Sequence, residues 1–153
     1  MALHLDLCGI ELDFAIRDYA PSIDNDSFTK WCNVDFHIRS GDWLNYQVDG
    51  ELLMHGEVDE ILSRIDAILN GDVGEPSFWA CMEPDFCFTF YPQKAIAKDS
   101  KFAYVAPGHE IEDIKLEWDV YFWNGRLPRN RLTLVLTRKD IVALQQYLLP
   151  VVA

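Results

Sequence analysis

The side chains with chemistry to offer are four histidines, four cysteines and a surplus of carboxylates. His4, His37, His55 and His109 form no HExxH motif, and no pair of them is spaced to hold a metal from one helix face. His37 alternates with Asp35 and Arg39, so it falls on the polar side of an extended segment, solvated or hydrogen-bonded. His55 closes a strand beside the acidic start of a helix. His109-Glu110 lies in the loop APGHEIED, and loops carry a disproportionate share of function. A histidine paired with a carboxylate near His55 or His109 would be the minimal apparatus of a small hydrolase. Such a site needs a concave pocket and displaced pKa values. The cysteines at 8, 32, 81 and 87 make no CxxC pair, and the spacing of Cys81 and Cys87 is not that of a zinc knuckle. Cys8 and Cys32 sit among apolar strand residues and read as buried thiols. Asp24-Asn25-Asp26-Ser27 opens like a calcium loop. Phe28 then stands at the fifth position, Thr29 where the glycine belongs, and Asp35 in place of the bidentate glutamate. The sequence contains no GxGxxG, no GxxxxGK[ST] and no GxSxG. It therefore assigns no catalytic residue, metal ligand or cofactor site, and it reads as a binding protein rather than an enzyme.

The carboxylates are the larger signal. Twenty-five acids against thirteen Lys and Arg leave a net charge of −12, and residues 1–75 account for all of it, with sixteen acids and four bases. Affinity for phosphates rests on clustered Lys and Arg, so a nucleic acid and an anionic membrane are poor partners for this chain. A basic protein is a good one, because opposite fields steer encounter. Plain solubility is the bland account of the same charge. At 153 residues, half of them apolar, the chain reads as a single domain over 1–153, with a core that needs no disulfide or metal staple. No basic segment followed by an apolar run opens it, and no apolar stretch approaches about 18 residues. A reduced, cytoplasmic protein is the expectation.

The elements that must position these side chains are legible from periodicity. LHLDLCGIELDFAIRDY reads as two short strands, or one bulged strand, broken at Gly9. WCNVDFHIRS (31–40) and WLNYQVDGELLMH (43–55) alternate strictly around Ser40-Gly41-Asp42 and form a long hairpin, with Gly50 marking a bulge. From residue 57 the period changes. Val58, Ile61, Leu62, Ile65, Ile68 and Leu69 trace one helix face to 70, and Asn70-Gly71 supplies the stop. Short strands follow at 78–83, 86–91 and 101–106. IEDIKLEWDVYFWNG and RLTLVLT (131–137) make a second hairpin across Asn124-Gly125. A last helix spans about 138–149 and ends near Pro150. The long hairpins predict an α+β fold: one curved antiparallel sheet of about six to eight strands, with both helices packed on one face.

Alternation also fixes which residues face outward. In the strand IKLEWDVYFW, Ile114, Leu116, Trp118, Val120 and Phe122 want a core. Glu117, Asp119, Tyr121 and Trp123 take the other side, as Asp35, Asp49 and Trp43 do in the first hairpin. Large rings rimmed by charge suit a protein interface. Asp35, Asp49, Glu117 and Asp119 are therefore the candidates for setting the field, and Trp43, Tyr121 and Trp123 the candidate anchors. The rival reading is a homo-oligomeric or structural domain, a homodimer being the simplest case, with the tryptophans buried across a symmetric interface.

Three segments, DWLNYQVDGELLMHGEVDEILSRIDAIL, FWACMEPDFCFTFY with its Glu83-Pro84 pair, and IKLEWDVYF ahead of a final helix, occur here in an order that resembles the WapI-like immunity proteins of bacteria. The resemblance covers roughly residues 5 to 149 and carries no catalytic signature. It implies a cytoplasmic protein that binds and blocks the nuclease domain of a contact-delivered toxin made by the same cell. It places no functional residue.

Overall fold

The structure, a computed structural model, describes residues 1–19, 30–95, 108, 110–122 and 130–153. Strands β1 (Leu3–Leu7), β2 (Ile10–Ile16), β3 (Trp31–Ser40) and β4 (Leu44–Met54) form an antiparallel sheet in that order. Each alternates apolar and polar residues, and Leu12, Phe14, Val34, Phe36 and Ile38 are buried on its inner side. Cys8 and Gly9 both take positive φ, 56° and 97°, in the two-residue turn between β1 and β2. A turn of that hand matches the twist of the strands it joins. Cys8, expected to be buried, is therefore exposed at a tip, while Cys32 is buried and its thiol is pushed up to about 12 by that burial. The pairing of β3 with β4 shifts register between Cys32 and Asn33, opposite Leu53 and Glu51. The extra residue on β4 is thus Leu52, just beyond the Gly50 that the sequence marks, and Leu52, Leu53 and Met54 are all buried in succession.

Helix α1 (His55–Asn70) begins two residues before the expected 57. The Glu57 carboxylate accepts the Met54 N–H at 3.0 Å, and the His55 N–H donates to the Lys30 carbonyl at 2.9 Å, so the first turn is satisfied early. It stops at Gly71, with φ of 73°. Then come β5 (Ser77–Ala80), β6 (Phe86–Tyr91), β7 (Lys94–Ala95), β8 (Ile111–Glu112), β9 (Lys115–Tyr121), β10 (Arg131–Leu136) and α2 (Arg138–Val152). The strand expected at 101–106, the turn at Asn124-Gly125, Trp123 and His109 lie outside the described residues. Helix α2 runs through Pro150 instead of ending near it, because in the last turn a proline forfeits only one backbone bond.

The expected single curved sheet is not what forms. The strands divide into a four-stranded sheet β1-β2-β3-β4, a second four-stranded sheet β10-β9-β6-β5, and a two-stranded β7-β8 pair, all antiparallel. Nor do the helices lie on one face of a sheet. They pack on each other, with α1 touching β4 and β6 and α2 touching β1, β9 and β10, so each helix meets both large sheets. The reason lies in the size of the inward residues. Phe36 packs on Phe86 and Trp118 at ring separations of 4.9 and 5.6 Å, and Phe14 meets Trp118 edge-on at 5.2 Å. These rings join the inner faces of two sheets, a larger apolar gain than extending one sheet edgewise. Where both sheets and both helices meet, only about 10 Å³ stays empty, among Phe14, Leu53, Ile61, Phe88, Trp118 and Leu144.

Candidate protein-binding surface

Because the two large sheets pack inner face to inner face, their outer faces point away from each other. Asp35 and Asp49 lie on the outer face of the first sheet, Glu117, Asp119 and Tyr121 on that of the second. Trp43 is 68% exposed at the tip of the β3–β4 turn, on the same hairpin as Asp35 and Asp49. Trp123 is outside the described residues. The candidates are thus brought together as one group on the first hairpin and another on β9.

Register shows what each outer face holds. Across the first sheet one row reads Asp6, Glu11, Arg39, Asn45, the next His4, Asp13, His37, Gln47, and the next Ala15, Asp35, Asp49. Asn33 and Glu51 pair in the row beyond. Two cations serve this face among the described residues. Arg39 sits 3.0 Å from Glu11 and also bonds Asp13, and Arg17 sits 3.0 Å from Asp35. The Arg39 hydrogen bond, then one from His4, hold the Asp13 carboxyl below its ordinary value. Asp49 and Glu51 have no cation within ion-pair distance among the described residues. Register also sets Asp35 directly opposite Asp49. Like charges so placed destabilise a sheet.

The small side chain of Ala15 leaves a concavity of about 330 Å³ on this face, walled by Asp13, Asp35, His37 and Gln47. It is the concave meeting of histidine and carboxylate that an enzyme would need, yet its chemistry points elsewhere. The carboxyl whose pKa moves is Asp13, and it moves downward under Arg39, which makes it a weaker base. The His37 Nε2 is engaged by the Asn45 side-chain oxygen at 2.7 Å. The two carboxylates of its wall, Asp13 and Asp35, each already hold a guanidinium, of Arg39 and Arg17. His55, the other histidine proposed for catalysis, is 3% exposed and stacked on Tyr19 at 4.6 Å, and its Nδ1 has no hydrogen-bond partner. Among the described residues no three His, Cys, Asp or Glu side chains converge as a metal site.

The outer face of the second sheet is balanced. Lys115 lies 3.3 Å from Glu117, and its ammonium sits 4.5 Å from the centre of the Tyr91 ring. Asp119 accepts the Thr133 hydroxyl at 2.5 Å with Arg131 at 4.0 Å, and is 9% exposed. Sequence parity had found all these acids alike. It carried no information on which would be neutralised, because the partner of each lies on a different strand. Glu51, beside Asp49 and of the same parity, is a further acid with no cation partner among the described residues, which alternation alone does not single out. Ala15 was missed because a concavity needs the neighbours' heights as well as its own.

Among the described residues no helix is long and apolar enough to cross a membrane. No curated protein and no solved structure matches the chain. The profile of the immunity protein WapI-like family matches residues 4–149, nearly the whole chain, and the protein belongs to that family.

Proposed function

We propose that this immunity protein binds the basic nuclease domain of a toxin made by the same cell, and that it does so with the outer face of its first sheet. The observation that carries the reading is the unneutralised pair of Asp49 and Glu51, with Asp35 set against Asp49 by register. Arg17 serves Asp35 but leaves Asp49 and Glu51 without a cation among the described residues, and a Lys or Arg from a partner would relieve the opposition of Asp49 to Asp35. Nuclease domains carry such cations to hold phosphates. The concavity over Ala15 would admit the long stem of one of them. Trp43, exposed at the end of the same hairpin, is the aromatic anchor of this surface. Glu117 and Asp119, set against Lys115 and Arg131 on the opposite face, and Tyr121 beside them would take little part in this contact.

The test is inhibition of the toxin's nuclease domain followed by association kinetics at two salt concentrations. Asp49→Lys should slow association by roughly tenfold and flatten its salt dependence, with dissociation changed far less. Association indifferent to both salt and this substitution would remove the reading.

A further inference from the structure

Among the described residues strand β5 is an edge of the second sheet with no strand paired on its outer side. It has four residues, Ser77-Phe78-Trp79-Ala80, between Pro76 and Pro84. Cys81 N–H donates to the Phe86 carbonyl at 3.2 Å, so residues of its parity, Ser77 and Trp79, turn their backbone groups toward β6. Those of Phe78 and Ala80 then face outward. The direction is confirmed at one atom, the Phe78 carbonyl, which lies 3.4 Å from Arg64 Nη1. The Phe78 and Ala80 N–H groups and the Ala80 carbonyl are left facing the open edge. Proteins usually guard such an edge with charge or a proline. The edge strand of the first sheet, β4, is guarded in this way by Asp49 and Glu51. Strand β5 instead presents Phe78, 58% exposed, and two residues past its end stands Met82, 70% exposed.

We infer that β5 receives an extended, cationic segment of the partner protein as an added strand. The charge around it selects the occupant. From residue 65 to residue 93 there are five acids, Asp66, Asp72, Glu75, Glu83 and Asp85, and no Lys or Arg. Glu75 and Glu83 stand exposed at the two ends of the strand. Of the cations near it, Arg64 is already held by Glu60 at 2.8 Å and lies over the Trp79 ring, while Lys94 and Lys115 line the hollow beyond Glu75, where Lys115 is held by Glu117. A second copy of this chain fits poorly. Antiparallel pairing that matched Phe78 with Ala80 across the two copies would set Glu75 of each beside Glu83 of the other. A segment alternating apolar and basic residues meets the open N–H groups, the Phe78 and Met82 side chains and the acidic ends together.

The inference rests on the proposed function in taking the partner to be a cationic protein, but its test needs no toxin. The full chain, labelled for amide NMR, is titrated with a peptide of about ten residues alternating Lys and Val, and with its Glu–Val counterpart, each length sufficient to span one strand. The Lys–Val peptide should shift the Phe78 and Ala80 amides and slow their hydrogen exchange by roughly tenfold or more, the Glu–Val peptide should not, and salt should weaken the effect. Ala80→Pro removes an outward N–H that β6 does not use, and should abolish the response. Phe78→Lys, which leaves the backbone intact, should weaken it by like-charge repulsion. Four results would overturn the inference: no shift at these amides at millimolar peptide, shifts confined to the outer face of the first sheet, a response unchanged in both variants, or a concentration-dependent dimer that protects β5 without peptide. Failure of the functional reading would look different, since the unaltered chain would then leave the nuclease active whatever β5 binds.

Discussion

At the scale of single residues, two buried carboxylates meet the β5–β6 turn under opposite conditions. Glu57, 2% exposed, accepts the Met54 N–H at 3.0 Å with one oxygen and the Met82 N–H at 2.7 Å with the other. It therefore clasps the β5–β6 turn to the start of α1. Glu57→Ala would strand both N–H groups, and chemical denaturation should show a loss of about 2–4 kcal/mol. Asp85, 6% exposed, has far less support, and burial, with Glu83 beside it, pushes its carboxyl above the ordinary value. A carboxyl raised in the folded state adds most stability when protonated, below its unfolded pKa of about 4, and loses it as pH rises through the folded value. Asp85→Asn should accordingly stabilise the protein at pH 7, and denaturation curves at falling pH should show the gain shrinking and gone below about pH 4. Nothing in the sequence separates Glu57 from Asp85. Both are acids at turn boundaries, and their difference lies in backbone donors that only the folded chain brings within reach.

At the scale of elements, period and punctuation were sufficient for the most regular segments, while the strand expected at 78–83 forms only over 77–80. The 31–40 and 43–55 hairpin, the helix at 57–70 and the strand at 86–91 all formed within two residues of expectation, because each has a repeated apolar spacing and a turn signal at its end. Gly71 shows the force of that punctuation. Its φ of 73° is one that an L side chain rarely adopts, and nothing lies within 4 Å of where a Cβ would stand. Gly71→Ala should thus cost about 1 kcal/mol through backbone strain alone, measurable as a lowered midpoint with unchanged denaturant slope. What misled was local substitution of one signal for another. Gly50 has the bulge chemistry, yet the register slips beside it, because burying Leu52, Leu53 and Met54 together was the larger gain. Pro150 looked like a stop and is only a weak point in a final turn.

At the scale of the whole molecule, the strands divide between two large sheets and a small pair where one sheet was expected. Strand order is not written in periodicity, since a strand with one apolar face is satisfied equally by a helix or by another sheet. Phe36, Phe86 and Trp118 decide it here by meeting across the core. The consequence for function is direct. Two sheets packed inward have two outer faces. Among the described residues, six carboxylates on the paired strands and two guanidiniums share the first, whereas on the second Glu117 and Asp119 stand against Lys115 and Arg131. The charge asymmetry seen along the sequence thus becomes an asymmetry between opposite sides, and only one side is left with acids facing acids. Such a face carries some cost to the free protein, and the proposed cationic partner would make that cost useful. The most direct measurement follows from Asp49→Asn, which removes the like-charge opposition without changing shape. Unfolding of the free protein and its affinity for the toxin's nuclease domain should move in opposite directions: stability up by as much as about 1 kcal/mol, affinity down by several-fold. A variant that is both more stable and equally tight in binding would contradict the account, because the strained acids would then serve no partner.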